Sequence, residues 1–346
     1  MNLFQKTLNS VEHSRPPVWF MRQAGRYHSH YQNLKKQYSF ETLCKNPELA
    51  SEVALGPVNE FDFDAAILFS DILFPLQALG MPLEYNPGPK LGWLLSEPSQ
   101  LKKLNIGDPA FLEFQKEALI LTKKKLSVEK GLIGFVGAPF TLYCYAVEGS
   151  HKSNLSASIG GLASGVYDAF LELLLPLLLE NMKLQASAGI DTIALFDTCA
   201  GSISPMGFRE YIVPPLRNLI YSFKNDYPNV PVTYYSKGTS LDHLKSLSDI
   251  SGVGVLGVDW NLSIVDCLSQ FKNFIIQGNV DPHWLLQESY LLERKLHEYF
   301  SNICNSQADL SRWICGLGHG ILQNTPEANV HLFIKIQREY FKQRKI

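Results

Sequence analysis

Short apolar runs rich in β-branched and aromatic residues recur along the chain, each followed by polar or glycine-rich residues and then by a helical pattern. We predict eight strands from these runs: VWFM (18–21), AAILF (65–69), LIGFVG (132–137), DTIALF (191–196), VTYY (232–235), GVLGV (254–258), FIIQG (274–278) and RWIC (312–315). Several runs are apolar on both faces, which is typical of buried parallel strands. Amphipathic patterns predict helices between them, for example over 111–126, 166–187 and 240–249.

Eight strands alternating with helices predict a single α/β domain over residues 1–346, a (β/α)8 (TIM) barrel. The alternative is an open doubly wound sheet, but no GxGxxG turn follows the first predicted strand. Barrel enzymes build their active sites at the carboxyl ends of the strands. The residues that follow the eight predicted strands are RQAGRY, SDIL, APFTLYCY, DTCAG, SKG, DW, NVDP and GLGHG. We therefore expect one crevice to collect their polar side chains.

The composition argues against several classes of function. Hydrophobic residues make up 46% of the 346 residues, and the formal net charge is −2, so a general nucleic-acid or anionic-membrane surface is not expected. The first residues lack the apolar core of a signal peptide, and Glu172 and Pro176 interrupt the most apolar run, LELLLPLLLE (171–180). The six cysteines include no CxxC pair, which favours reduced thiols. We expect a soluble, cytoplasmic protein without nucleic-acid or membrane partners.

Two arginines follow the first predicted strand, with Gln23, Ala24 and Gly25 between Arg22 and Arg26. Guanidinium groups bind carboxylates or phosphates in a bidentate manner and keep their charge at cellular pH. Gly25 allows a tight turn and a close approach of the backbone to a ligand. The sequence therefore indicates an anion-binding loop, with pairing of both arginines to structural acids as the alternative.

Asp71 lies among apolar residues in ILFSDILFPLQALGM. A carboxylate accepts hydrogen bonds only, and its burial without partners is costly. We therefore expect Asp71 to face cations or several N–H donors. The alternative is that Asp71 caps the helix that follows, a role that Ser70 would fill equally well.

Hydroxyl groups follow the third and fourth predicted strands. Tyr145 lies in GAPFTLYCYAVEG, and periodicity does not decide whether Tyr145 or Tyr143 faces the crevice. Thr198, in LFDTCAG, offers a hydroxyl donor at a strand exit, and Asp197 beside it is placed to orient a neighbouring group. No G-x-S-x-G turn indicates a nucleophilic serine.

His319 follows the eighth predicted strand within GLGHGI, flanked by Gly318 and Gly320. Glycines after the last strand of a barrel often form an anion-binding loop, so capture of phosphate is one interpretation. The histidine is also suited to act as a neutral hydrogen-bond donor or as an acid–base group. The histidines and cysteines show no HxC, HExxH or CxxC spacing, and His28-Ser29-His30 has no evident third ligand, so we expect no metal.

The chain resembles the uroporphyrinogen decarboxylases over nearly its whole length. The resemblance rests on MRQAGRY, on FSDIL followed by QALGM, and on YNPGPKL, GAPFTLYCYAVEG, FDTCAG, GVDW, QGNVDP and GHGI, in the family's order. It implies a (β/α)8 barrel that works as a homodimer in the cytoplasm without cofactor or metal. It also implies decarboxylation of the four acetate groups of uroporphyrinogen III to give coproporphyrinogen III.

The resemblance assigns roles to the candidate residues. It implies that Asp71 accepts hydrogen bonds from the four pyrrole N–H groups and stabilises positive charge on the ring. It implies that Arg22 and Arg26 bind substrate carboxylates, with Arg22 as a candidate proton donor and Gln23, Ala24 and Gly25 as the backbone of the loop. Further contacts to the carboxylates are implied for Tyr145, Thr198 and His319.

Several positions depart from the family's usual pattern. HSHYQ follows MRQAGRY where a Leu-Pro pair is usual, Thr198 stands where several relatives have serine, ICGLGHG lacks a common asparagine, and the basic run after Glu148-Gly149 is thin. Two other functions are alternatives. A corrinoid or thiol methyltransferase on the same barrel needs zinc thiolate ligands that the spacings lack, and a non-catalytic tetrapyrrole binder gives no decarboxylated product.

Overall fold

A computed structural model of the chain describes residues 1–86, 88–150 and 154–342 and has an α/β fold. Within this described part, seven strands form a parallel sheet in the order β1-β4-β5-β6-β7-β8-β9, and β2 and β3 form an antiparallel hairpin. The strands are β1 (Ala65–Ile67), β2 (Leu83–Tyr85), β3 (Pro89–Leu91), β4 (Gly131–Gly137), β5 (Thr192–Asp197), β6 (Val232–Ser236), β7 (Val253–Gly257), β8 (Ile275–Val280) and β9 (Trp313–Leu317).

Helices precede and follow the strands of the parallel sheet. They are α1 (Leu3–Leu8), α2 (Ser29–Lys35), α3 (Phe40–Lys45), α4 (Pro47–Phe61), α5 (Phe74–Ala78), α6 (Glu113–Lys125), α7 (Pro139–Glu148), α8 (Ser156–Ala163), α9 (Val166–Ser187), α10 (Pro205–Gly207), α11 (Val213–Asp226), α12 (Leu241–Lys245), α13 (Ile264–Gln270), α14 (Ser289–Asn305) and α15 (Glu327–Phe341). The predicted helix over 166–187 is confirmed, and that over 111–126 corresponds to α6 with a preceding 3₁₀ turn. The predicted helix over 240–249 ends early, at Lys245, because Ser246 and Ser248 are weak helix formers.

Seven of the eight predicted strands are confirmed, and the first, over 18–21, is wrong. This segment makes only an isolated bridge, from Val18 to Cys315 of β9. Cys315 N donates to Pro17 O at 2.8 Å, and Trp19 N donates to Cys315 O at 3.3 Å. On the other side, Asp64 N donates to Val18 O at 2.8 Å. Pro17 has no N–H to donate, and the chain turns after residue 20, so the ladder cannot extend.

One compact unit comprises residues 1–69, 121–133 and 254–346. Within it, β1 pairs with the start of β4, and β8 pairs with both β7 and β9, all in parallel. Phe20 lies in the core of this unit. Its ring makes edge-to-face contacts with the rings of Phe63 and Phe333, and the ring centroids are 4.9 Å apart in both pairs. Such pairs add stability beyond the apolar area that they bury.

A second compact unit comprises residues 70–120 and 134–253. Strands β5 and β6 pair in parallel over five residues each, from Ile193 opposite Val232 onwards. Tyr143 packs in its core, with ring centroids 4.9 Å from Tyr167 and 5.6 Å from Phe170. That residues 1–346 form one closed barrel domain stays a prediction.

All six cysteines lie in the described part of the chain, and none of them forms a disulfide bond there. Within that part, no single helix has the length and apolar character needed to cross a membrane, although α8 and α9 together, bent by 94°, meet both criteria.

The first unit contains a buried ion pair that we expect to be important for stability. Asp64 accepts hydrogen bonds from Arg15 Nη1 at 2.6 Å, from Arg15 Nη2 at 2.7 Å and from Val18 N at 2.7 Å. Replacing Asp64 by alanine removes the carboxylate that binds the largely buried Arg15 guanidinium and Val18 N, and leaves Arg15 Nη1 with Pro16 O at 3.3 Å. We expect a loss of about 3–5 kcal/mol in the free energy of unfolding. Urea-induced unfolding measures this loss.

The matched control is Lys335→Ala, which removes an exposed ion pair to Glu339 at 4.0 Å. We expect this variant to lose less than about 1 kcal/mol. Equal losses for the two variants would contradict the importance assigned to the buried pair.

Candidate active site

Gln23 holds the arginine loop from inside the protein. Its side chain is fully buried; Oε1 accepts from Phe20 N at 3.1 Å, and Nε2 donates to Ala65 O at 2.9 Å. The hydroxyl of Tyr27 donates to Gln23 O at 2.8 Å, and burial raises the pKa of this phenol, so it stays protonated as a donor. The side chain of Gln23 therefore positions the loop, and its backbone N–H donates to Phe20 O at 3.0 Å.

The backbone of the loop adopts a conformation that few residues accept. Arg22 has φ +61°, in the left-handed region, which is uncommon for a residue with a side chain. A Cβ atom at Gly25 would lie 2.7 Å from Arg22 O, so only glycine fits there without a shift of the backbone. Local strain of this kind is concentrated at functional sites, which favours the interpretation of this loop as part of one.

Among the residues that the structure describes, neither Arg22 nor Arg26 forms an ion pair with an acidic side chain. Among the described residues, the arginines with an acidic group within 4.0 Å are Arg15, Arg312 and Arg338. Arg22 and Arg26 are exposed and are absent from this group. The alternative that both pair with structural acids is therefore not supported in the described part of the chain.

The glycine loop after β9 lies against Arg22. A Cβ atom at Gly320 would lie 2.5 Å from Arg22 Cδ and 3.1 Å from Arg22 Nε, so the arginine side chain passes directly over this glycine. Ile321 N also donates to Met21 O at 2.9 Å. The structure thus brings two predicted site elements together, the arginine loop and the loop of His319.

His319 is half-buried, and its ring centroid lies 6.2 Å from that of Trp260. Its Nδ1 accepts a hydrogen bond from Gly320 N, which requires Nδ1 to be unprotonated. In the neutral ring the proton is then on Nε2, which makes this atom a donor. A neutral donor suits contact with a carboxylate oxygen.

Asp71, in the second unit, is half-buried ahead of α5. Its Oδ1 accepts from Leu73 N at 2.9 Å, which closes a tight turn. Helix α5 has Leu73 as its N-cap and no side-chain cap, so neither Asp71 nor Ser70 caps it. The hydroxyl of Ser70 instead accepts a hydrogen bond from Gln115 Nε2 at 2.9 Å.

Tyr143 and Tyr145 differ in their surroundings. Tyr143 is 1% exposed and packs against Tyr167 and Phe170, so it is a core residue. Tyr145, two residues on in α7, is 8% exposed. The ambiguity left by the sequence is therefore narrowed to Tyr145 as the candidate.

Asp197, directly before the half-buried Thr198, is a residue whose importance the sequence only hinted at. It is fully buried and accepts from Thr141 Oγ1 at 2.7 Å through Oδ1, and from the hydroxyl of Tyr234 at 2.7 Å through Oδ2. Thr141 Oγ1 in turn accepts from Cys199 N at 3.1 Å. Burial raises the pKa of Asp197 to about 6, although both hydrogen bonds favour the carboxylate. The network fixes the backbone on the C-terminal side of Thr198.

The second unit brings its own candidate residues into neighbouring loops. A Cβ atom at Gly137, the last residue of β4, would lie 3.1 Å from Ile72, the residue after Asp71. Ala138 N donates to Phe196 O at 3.0 Å, which joins the start of α7 to the end of β5. The turn of Asp71, the helix of Tyr145 and the exit of Thr198 therefore adjoin one another.

The structure bears on two of the positions that depart from the family's usual pattern, the HSHYQ stretch and the run after Gly149. His28 is buried, with its ring centroid 5.1 Å from Phe61, and burial lowers the pKa of its imidazole. Within the described ranges, no three His, Cys, Asp or Glu side chains are grouped so as to hold a metal ion. The thin basic run after Gly149 includes residues 151–153, which lie outside the described residues.

Comparison with known proteins supplies a family. A model of the family described as "Uroporphyrinogen decarboxylase (URO-D)" matches residues 1–340. A curated uroporphyrinogen decarboxylase from Geobacter sp. (strain M21) is 36% identical over 315 residues, with 90% of each chain covered. Another, from Orientia tsutsugamushi (strain Ikeda), is 34% identical over 350 residues, covering 98% of this chain and 99% of the relative.

Solved structures confirm the fold. A methyltransferase from Methanosarcina mazei matches with a TM-score of 0.75 and 18% identity, covering 98% of each chain. A B12-independent methionine synthase from Shewanella sp. W3-18-1 matches with a TM-score of 0.57 and 9% identity, covering 95% of each chain. Because both identities are low, these likenesses show the fold and carry no functional argument.

The raised pKa of Asp197 predicts how stability depends on pH. The folded protein holds this proton more tightly than the unfolded chain, whose carboxyl has the ordinary pKa of 3.8. The contribution of Asp197 is therefore most favourable below pH 3.8 and falls as the pH rises towards 6, by about 3 kcal/mol in total. In Asp197→Asn, the free energy of unfolding should not show this decline between pH 3.8 and 6, because the amide does not titrate. Urea-induced unfolding from pH 4 to 7.5 measures the difference, and parallel profiles for the two proteins would contradict the assignment.

Proposed function

The chain belongs to the uroporphyrinogen decarboxylase family, and on that premise we propose that it converts uroporphyrinogen III to coproporphyrinogen III in porphyrin biosynthesis, with release of four molecules of CO2. The family match over residues 1–340 is the observation that carries the proposal. The arginine loop and its contact with the loop of His319 support it, because the substrate bears eight carboxylates.

Decarboxylation needs an acceptor for the electron pair of the C–C bond that breaks. An acetate group leaves as CO2 only if the electrons of the broken C–C bond are accepted, and protonation of a pyrrole carbon turns the ring into a cation that accepts them. The substrate thus supplies the electron sink that other decarboxylases obtain from a cofactor. Electrons from the broken bond neutralise the ring and leave an exocyclic methylene. A second proton converts this methylene into a methyl group, and loss of the first proton from the ring carbon restores the pyrrole, so each acetate consumes one proton in total.

Asp71 stabilises the cationic ring in this proposal. Its carboxylate accepts hydrogen bonds from the pyrrole N–H groups, which converge at the centre of the macrocycle. A fixed anion in a site from which water is excluded lowers the energy of the developing charge without reorganising in the reaction. The turn closed by Leu73 N supports this role, because it fixes the carboxylate before the substrate arrives.

Arg22 and Arg26 bind the acetate and propionate groups at the edge of the macrocycle. Both are exposed and have no acidic partner in the described part of the chain, so binding a carboxylate breaks no existing ion pair. Ala24 and Gly25 offer the backbone between them. We assign the delivery of a proton to Arg22 or to a water held by an arginine.

Tyr145, Thr198 and His319 complete the carboxylate contacts as neutral donors. The Nε2–H tautomer inferred for His319 supports this role, as does the network of Asp197 that fixes the backbone beside Thr198. Neutral donors hold a carboxylate without adding positive charge that would oppose the cationic ring.

The finer features of the fold belong to the same proposal. Segment 17–19 bonds to Cys315 of β9 on one side and to Asp64, before β1, on the other. These bonds support an eighth position in the sheet and hence a closed (β/α)8 barrel. We further propose a cytoplasmic homodimer that acts on a tetrapyrrole without cofactor or metal.

The first test is the reaction itself. We expect the purified protein to convert uroporphyrinogen III to products with seven, six, five and finally four carboxylates, resolved by chromatography. Asp71→Asn should keep the fold but lose at least about 100-fold in kcat, because the neutral amide cannot offset the ring's charge. The control is Asp249→Asn, an exposed acid that should leave kcat unchanged. Near wild-type turnover by Asp71→Asn would remove Asp71 from its role.

The contact between Gly320 and Arg22 gives a second test. In Gly320→Ala the new Cβ would lie 2.5 Å from Arg22 Cδ, so the guanidinium must move. We expect kcat/KM for uroporphyrinogen to fall about tenfold or more, because small displacements of binding groups have large effects. Gly160→Ala is the control, since no atom lies within 4 Å of the added carbon. An unchanged kcat/KM in Gly320→Ala would show that the reaction does not depend on the present position of the Arg22 guanidinium.

A further inference from the structure

A buried amide side chain holds the residue next to Asp71. Gln115, in the first turn of α6, is 2% exposed, and its Nε2 donates to Ser70 Oγ at 2.9 Å. Its Oε1 accepts from Gln185 Nε2 at 3.1 Å. Both ends of the amide are therefore bonded, which fixes which end of Gln115 is the donor towards Ser70.

The chain of amides ends on the backbone of a strand. Gln185 Oε1 accepts from Phe135 N at 2.8 Å, and its Nε2 donates to Phe135 O at 2.9 Å. A Cβ atom at Gly134 would lie 2.6 Å from Gln185 Oε1, so glycine at this position makes room for the amide. Asn181 Oδ1 accepts from Gln185 Nε2 at 3.2 Å. Gln185 is thus locked to β4, and Gln115 is held by a rigid element.

Helix α6 also holds the far side of the turn that carries Asp71. The ring of Phe114, beside Gln115, makes an edge-to-face contact with Phe74, with centroids 5.2 Å apart. Phe74 begins the helix that follows Asp71. Two adjacent residues of α6 therefore fix the turn, one through Ser70 before Asp71 and one through Phe74 after it.

We propose that Gln115 is a positioning residue that fixes the carboxylate of Asp71 through the hydroxyl of Ser70. This inference rests on the proposed role of Asp71 in decarboxylation. The bond from Gln115 occupies a lone pair of Ser70 and sets the rotation of the peptide that leads into Asp71. Without it, the turn loses the hydrogen bond that holds the residue before Asp71, and we expect the carboxylate to depart from the position that the reaction needs.

The proposal predicts a pattern of kinetic effects. Gln115→Leu keeps the volume of the side chain but removes the donor, and Ser70→Ala removes the acceptor. Each variant should lower kcat for uroporphyrinogen about tenfold. The KM should stay within about twofold of the wild-type value, because Arg22 and Arg26 still bind the substrate carboxylates. The double variant should be no worse than about twofold below either single variant, since both changes break one interaction.

A second readout does not depend on turnover. The Leu73 amide bonds to Asp71 Oδ1, so its hydrogen exchange reports whether the turn is fixed. Exchange at Leu73 should be about tenfold or more faster in Gln115→Leu and in Ser70→Ala than in the wild-type protein. Asn181→Leu is the matched control: it disturbs the far end of the same network, so it should lower Tm but leave kcat and Leu73 exchange unchanged.

The outcomes separate the inference from the proposed function. Ser70→Ala with wild-type kcat and exchange overturns the inference, even if Gln115→Leu does not fold. Losses of kcat that multiply in the double variant also overturn it, because Gln115 then acts by another route. A wild-type protein without decarboxylase activity contradicts the proposed function, while the exchange measurement still decides whether Gln115 fixes the turn.

Discussion

Buried polar side chains must find hydrogen-bond partners, and that requirement fixes the loops that carry the candidate site. Gln23 bonds to the backbone at Phe20 and Ala65 and so holds the arginine loop from beneath. Asp197 holds the exit of β5 through Thr141, whose hydroxyl accepts from Cys199 N. Gln185 bonds directly to Phe135 within β4. None of these three residues needs to touch substrate for the site to depend on it. A substitution among them would disturb a loop as well as the core.

The electrostatic arrangement follows from the reaction. A net charge of −2 gives no reason to expect a broadly basic surface, so we expect local groups to bind an octacarboxylate. Arg22 and Arg26 are suited to it because no structural acid occupies them among the described residues. The proposed mechanism also needs a negative group, a single fixed carboxylate that faces the cationic ring. In the proposed site, two arginines on one loop and an aspartate on another are assigned to meet both demands.

The sequence predicted much of the fold because buried parallel strands are continuous apolar runs. It failed at residues 18–21, where apolar character comes from burial in the core rather than from pairing, as the contacts of Phe20 show. Pro17 removes one donor and the turn at Arg22 ends the extended segment, effects that an apolar pattern does not register. The helix over 166–187 was predicted to the residue because its long amphipathic pattern has few breaks.

Sequence motifs predicted the candidate site residues, but they did not predict the buried residues that hold the loops of the site. MRQAGRY and FSDIL point to Arg22, Arg26 and Asp71, because these motifs carry the resemblance to the family and set charged side chains beside apolar runs. Gln115 and Gln185 carry no comparable signal, since a glutamine in an amphipathic helix is ordinary until its partner is known. Periodicity left Tyr143 and Tyr145 undecided and the resemblance named Tyr145, which the packing of Tyr143 in the core supports.

A crystal structure of the protein with coproporphyrinogen III bound would test most directly whether a lone carboxylate sustains the cationic ring. We expect both carboxylate oxygens of Asp71 to lie about 3 Å from pyrrole nitrogens, with Arg22 and Arg26 on carboxylates at the rim. A macrocycle bound with its N–H groups directed away from Asp71, towards water or another side chain, would contradict the mechanism.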